Sequence, residues 1–242
     1  MKKLIPFVIL LVGLVFIVAI YFLVIRKPAE TETVNDEDTS ALIEVALEDR
    51  PVAVLMPRSD GHWLDMEISK LGKFNAASMD YELLYKTGEG ITQGVPGNIK
   101  LNGQDSIERE LLLGSESSGK FRYDEGVESG TFSLKFRNDK GKLVAKFSTD
   151  FRFYSDTRDL TNANNTFVFS PDDDSKDYSL VMDTFGLPDG YSGNVSMGPF
   201  GVFSSGEITG TTNLSGTVQV WFDDAWQTVS DTSTSGIFIT SN

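Results

Sequence analysis

Ser129-Gly130-Thr131-Phe132-Ser133-Leu134-Lys135-Phe136-Arg137 decides the fold class. From Phe132 to Arg137 apolar and polar residues alternate strictly, which puts Phe132, Leu134 and Phe136 on one face of an extended chain and the polar residues on the other. Asn138-Asp139-Lys140-Gly141 follows as a turn signal. Lys142-Leu143-Val144-Ala145-Lys146-Phe147 then resumes an extended pattern. Two such runs joined by four turn-forming residues predict an antiparallel hairpin with one buried face. Asp60-Gly61, Asn102-Gly103 and Asp189-Gly190 mark further turns. No sustained helical periodicity appears beyond residue 48, so the spacing predicts an all-β protein.

Related stretches recur in order along the chain. Asp80-Tyr81-Glu82-Leu83-Leu84-Tyr85-Lys86-Thr87 matches Asp177-Tyr178-Ser179-Leu180-Val181-Met182-Asp183-Thr184, and Gly97-Asn98-Ile99-Lys100-Leu101 matches Gly193-Asn194-Val195-Ser196-Met197. Ser117-Ser118-Gly119 matches Ser204-Ser205-Gly206. Ser129–Phe136 matches Ser215–Phe222, and Phe151-Arg152-Phe153 matches Ile237-Phe238-Ile239. These matches predict two tandem antiparallel β-sandwich (Ig-like) units, over residues 49–155 and 166–242, the second shorter.

The N-terminus is of a different kind. Leu4 to Ile25 is apolar and uncharged, flanked by Lys2-Lys3 and Arg26-Lys27. As a helix it would extend about 33 Å, enough to cross a bilayer core of about 30 Å. It is longer than the apolar region of a signal peptide, and Phe22-Leu23-Val24-Ile25 offers no small residues for cleavage. Residues 1–25 are therefore expected to be a single-pass plasma-membrane anchor. The basic start favours a cytoplasmic N-terminus with the bulk extracytoplasmic. Residues 26–48 include Pro28-Ala29-Glu30-Thr31-Glu32-Thr33 and Asn35-Asp36-Glu37-Asp38, and this acidic stretch reads as a linker or stalk.

Charge and composition narrow the functional classes. The formal net charge is −14, and residues 165–242 hold ten acids against the single base Lys176. Nucleic acid, which demands basic surface, is not an expected partner. There is no cysteine and a single histidine, His62, in Asp60-Gly61-His62-Trp63. A zinc centre would have to be built mainly of carboxylates, and no G-x-S-x-G nucleophile elbow is present. Gly88-Glu89-Gly90-Ile91-Thr92-Gln93-Gly94 lacks the Lys-Ser/Thr of a phosphate loop and reads as a hairpin loop.

Two groups remain as candidate sites. Asp156, Asp172, Asp174 and Asp177, with Asp159 and Asp173 nearby, lie around the junction of the two predicted units and are candidate calcium ligands, with a solvated loop as the competing reading. No other cofactor is implied. Trp221 aligns with Lys135 and is expected on the outer face of its strand, where it and Trp226 are candidates for docking a protein or glycan partner. The competing reading packs Trp221 against Trp226 or the first unit.

Tyr81-Glu82-Leu83-Leu84-Tyr85, Leu111-Leu112-Leu113-Gly114-Ser115 and Arg122-Tyr123-Asp124-Glu125-Gly126-Val127 carry a resemblance. The stretch Tyr81–Phe153 is similar to uncharacterised single-pass membrane-anchored β-rich proteins of small-genome bacteria. Such proteins carry cysteines near positions 116 and 121, where this chain has Glu116 and Phe121. The resemblance implies location and fold only. The expectation is a non-enzymatic, membrane-anchored binding or structural protein of the cell envelope. An accessory subunit of a secretion or surface-assembly complex is the alternative, and a two-carboxylate glycoside hydrolase is a more distant one.

Overall fold

The computed structural model describes residues 44–155, 159–174 and 176–241, and they belong to one compact unit. Asp156, the Leu4–Ile25 run and most of the acidic linker lie outside the described residues. The described chain is all-β, its helical content confined to 3-10 turns at Leu47–Asp49 and Leu71–Phe74.

The strands follow in chain order. β1 (Val52–Pro57) and β2 (Trp63–Ser69) form one hairpin, and β3 (Ser78–Lys86) and β4 (Thr92–Lys100) another. β5 (Ile107–Leu112) returns beside β2. β6 (Gly114–Ser117) and β7 (Lys120–Tyr123) make a small hairpin, and β8 (Ser129–Arg137) and β9 (Leu143–Tyr154) a long one. Then come β10 (Leu160–Thr161), β11 (Val168–Pro171), β12 (Ser179–Asp183), β13 (Val195–Ser204), β14 (Thr209–Thr212), β15 (Thr217–Phe222), β16 (Ala225–Thr228), β17 (Ser233–Thr234) and β18 (Ile237–Ser241).

One antiparallel sheet of nine strands, ordered β16-β15-β18-β13-β12-β9-β8-β3-β4, runs through both halves of the chain. The halves join edge to edge where Leu180 faces Phe153 and Met182 faces Phe151. The sheet β1-β2-β5 and the sheet β10-β11-β14-β17 complete the packing. The first core gathers Leu55, Leu64 and Ile68 from β1 and β2 with Leu83, Phe132, Phe136 and Phe151 from the long sheet. The second gathers Phe167 and Phe169 from around β11 with Val202, Val220 and Phe238.

Strand alternation puts these cores on opposite faces of the long sheet. Leu180 and Met182 belong to the first core and Val181 to the second. Likewise Ile237 belongs to the first and Phe238 to the second. The centre of the sheet is thus the middle of three layers, which explains why Leu180-Val181-Met182 is continuously apolar where β8 alternates. Each large apolar side chain so buried contributes roughly 2–3 kcal/mol.

The matched sequence stretches keep two pairings and differ in a third: β3 pairs with β4 as β12 does with β13, and β8 pairs with β9 as β15 does with β18. The second neighbour of β8 is β3, whereas that of β15, its counterpart, is the short β16. The second neighbour of β3 is β8, while that of its counterpart β12 is β9, so the halves differ in how the two matched hairpins are joined. Alternation fixes which residues share a face, and long-range pairing fixes which strands become neighbours.

Turn chemistry follows the sequence closely. Asn138 Oδ1 accepts from the Lys140 and Lys142 N–H groups at 3.0 Å each, closing the β8–β9 turn. The Gly88 stretch lies at the β3–β4 loop, where Thr87 N–H donates to the Ile91 carbonyl at 2.9 Å. Fully buried Asn162 organises the β10–β11 turn: its amide donates to Thr166 and Asp183, and its oxygen accepts from the N–H groups of Thr166 and Phe167.

Candidate binding surface

The turn between β1 and β2 sets one side of an aromatic surface feature. Asp60 Oδ1 accepts from His62 N–H at 3.0 Å, and Arg58 N–H donates to the Trp63 carbonyl at 3.0 Å. Gly61, at φ +69°, lets the chain turn against the ring of Tyr178; a Cβ there would sit 2.3 Å from that ring. His62 is consequently held at the rim, and its carbonyl accepts from Leu113 N–H at 2.8 Å.

The β6–β7 hairpin supplies the other side. Gly114, at φ +155°, brings the two strands close; a Cβ there would lie 2.2 Å from the Arg122 carbonyl oxygen. Phe121 and Tyr123 are two residues apart and so share a face of β7. Tyr123 stacks on His62 with centroids 4.1 Å apart and planes within 9°, and Phe121 lies 6.2 Å from Tyr123 with planes within 4°. Trp63 meets Phe121 edge-on at 5.6 Å. Phe121 and Tyr123 remain 46% and 39% exposed. Four rings thus form a ledge whose outer members stay open to solvent.

A polar margin adjoins the ledge. The Arg58 guanidinium lies 5.6 Å from the centre of the Trp63 ring. Its Nη2 donates to Asp65 at 2.6 Å and also to Glu110, while Nε donates to both Asp65 oxygens at 3.0 Å. These hydrogen bonds to Asp65 and Glu110 push the Arg58 pKa up, so it stays a cation. Asp65 faces Glu110 across β2 and β5, and Glu67 faces Glu108 one rung on. Burial, then the charges of Glu108 and Asp224, raise the Glu67 carboxyl. Behind the ledge, burial and then the bond it donates to Asp124 at 2.9 Å raise the Tyr85 hydroxyl.

The tryptophans singled out from the sequence lie elsewhere. Trp221 faces away from Val218 and Val220, as its alignment with Lys135 requires. That face is not an outer one: it packs against the first core beside Ile237. Trp221 meets Trp226 at 5.7 Å, and Trp226 meets Tyr191 at 5.3 Å. Trp226 and Tyr191 line a shallow cavity of about 370 Å³ with Gln219 and Asn194. The reason is the third layer: around β15 both sheet faces are covered.

The acids near the junction are dispersed in hydrogen bonding. Thr209 Oγ1 donates to Asp172 at 2.9 Å, Ser205 Oγ to Asp177 at 3.4 Å, and Ser170 Oγ to Asp159 at 2.6 Å. Asp174 is exposed and also engaged. Among the described residues no three His, Cys, Asp or Glu side chains converge as a metal site. Among those same residues no helix is long and apolar enough to cross a membrane.

Sequence reasoning passed over the ledge. Its signal was Lys120-Phe121-Arg122-Tyr123, where two aromatics alternate with two cations in a hairpin too short to bury them, and the adjacent His62-Trp63. No protein family, curated protein or solved structure matches this chain.

Proposed function

We propose that this chain is a membrane-tethered, extracytoplasmic binding protein without catalytic activity, and that the ledge of His62, Trp63, Phe121 and Tyr123 receives a glycan. The observation that carries this reading is the set of near-parallel rings of His62, Tyr123 and Phe121, the last two substantially exposed. Exposed, pre-positioned rings offer apolar faces to the C–H faces of a sugar at little entropic cost. Asp65, Glu110 and Arg58 beside them offer planar hydrogen-bonding groups to hydroxyls. The Leu4–Ile25 run supplies the tether, with the N-terminus cytoplasmic and the folded part held off the bilayer by the acidic stalk. The lone histidine is engaged in ring stacking, which favours binding over acid–base chemistry.

The test is a glycan array probed with the full chain in detergent and with Phe121→Ala/Tyr123→Ala. Saccharide binding lost in the double variant, with melting temperature unchanged, supports the reading. No saccharide bound, or equal binding by the variant, overturns it.

A further inference from the structure

β9 is twelve residues long, and its two edges are used unequally. On one edge it pairs with β8 along nearly its whole length. On the other it pairs with β12 only from Phe151 to Tyr154. Among the described residues, no strand pairs with that second edge along Ala145–Asp150. Phe153 N–H donates to the Glu128 carbonyl on the β8 side at 2.8 Å. Register with β8 is regular from Phe136 to Ser129, so backbone groups alternate without slip. Lys146, Ser148 and Asp150 therefore turn their N–H and C=O groups towards the unpaired edge.

That edge forms one wall of a groove of about 660 Å³. Asp183–Phe185, where β12 diverges, form a second wall, and Glu44, Val45 and Arg50 a third. Phe147, 5.6 Å from buried Phe185, gives the groove an apolar side. The sheet's outer strands are blunted differently: β4 carries Pro96 with Gly94 and Gly97, and β16 is four residues long. The open stretch of β9 has neither device.

We propose that this groove accepts a short extended segment of a partner polypeptide, which adds to β9 as an antiparallel strand. The backbone donors and acceptors of Lys146, Ser148 and Asp150 specify a peptide backbone as occupant. Side chains specify its sequence. Lys146 calls for an acidic residue opposite, and Asp150 for a basic one. Between them, the two residues on the Phe147 face are apolar. Read from its N-terminus, the occupant is basic, apolar, small, apolar, acidic. A second copy pairing through its own β9 does not fit, because β12 occupies the same edge from Phe151 onward. This site is independent of the aromatic ledge.

The experiment is amide hydrogen exchange on the full chain in detergent, with acetyl-Lys-Val-Thr-Val-Glu-amide as probe and acetyl-Glu-Val-Thr-Val-Lys-amide as control. The expected result is fast exchange at Lys146, Ser148 and Asp150 in the chain alone, slowed at least tenfold by the probe and not by the control. Ser148→Pro removes an N–H that β8 does not use, and should abolish protection at Lys146 and Asp150. Lys146→Glu/Asp150→Lys should exchange the preference between the two peptides, which keeps the test decisive if the proline variant fails to fold. Slow exchange in the chain alone would show the edge already occupied and overturn the proposal. Equal protection by both peptides, or none by either, would also overturn it.

Discussion

Leu180 and Val181 are consecutive in the chain, yet they bury in different hydrophobic cores on opposite faces of one sheet. Both are fully buried. β12 is therefore the strand on which the two halves of the molecule depend together. Val181→Ala should cost about 2 kcal/mol and Leu180→Ala about 3 kcal/mol. Lys135→Ala, on the polar face of β8, should stay within about 0.5 kcal/mol. Urea unfolding of the three variants checks this.

Lys70 is a second point of dependence. It adopts φ 63°, is 8% exposed, and donates to the carbonyls of Glu48 at 2.5 Å and Leu187 at 2.9 Å. Its Asp189 partner, 3.2 Å away, is largely solvated and adds little. Lys70→Ala strands two carbonyls and should cost about 3 kcal/mol. Thermal unfolding is the measurement, and an unchanged midpoint would contradict the assignment.

Arg58 neutralises two carboxylates that face each other across β2 and β5. The group is partly exposed, so its removal acts mainly through the repulsion it leaves. Arg58→Ala should cost about 1 kcal/mol, and 1 M salt should recover part of it. The same variant should weaken saccharide binding at the ledge, because Trp63 loses the cation beside it.

Asp80 gives the chain an acid-sensitive term. Burial alone would raise its carboxyl, but the hydrogen bonds from Arg137 at 2.8 Å and from Asn98 outweigh burial and lower it. A folded-state pKa below the unfolded one means stability that is present above the unfolded value and lost as pH falls through the folded one. Asp80→Asn should therefore be less stable than the native chain at pH 7 and converge with it towards about pH 2. Urea midpoints across that range give the comparison.

Glu67 behaves in the opposite sense. Its carboxyl is raised by burial and by Glu108 and Asp224. A raised folded-state value means the folded chain holds the proton longer, so stability falls as pH rises through that range. Glu67→Gln should gain roughly 0.5 kcal/mol at pH 7 by removing a like-charge cross-strand pair, and nothing at pH 3. Denaturant midpoints at the two pH values decide it.

Much of the fold was legible in the residues. Phe132-Ser133-Leu134-Lys135-Phe136 alternates because β8 has one face in the first core and one in solvent, and Asn138–Gly141 closes its turn as the spacing predicts. The unbroken Leu180-Val181-Met182 run carried an equally physical signal, burial on both faces, which its likeness to Leu83-Leu84-Tyr85 obscured. For Trp221, alternation supplied the correct side of the strand but not the layer that covers that side.

The sequence by itself determined local matters: extended chain, turn positions, the face each side chain takes, and an N-terminal run of spanning length. Those follow from steric and hydrophobic patterning within a few residues. Only the tertiary structure decided that β9 meets β12, that β15 lies between β18 and β16, and that His62 stacks on Tyr123 sixty-one residues away. Such pairings are set by which distant strands bury each other's apolar faces. A backbone hydrogen bond across a sheet carries no record in the residues that make it.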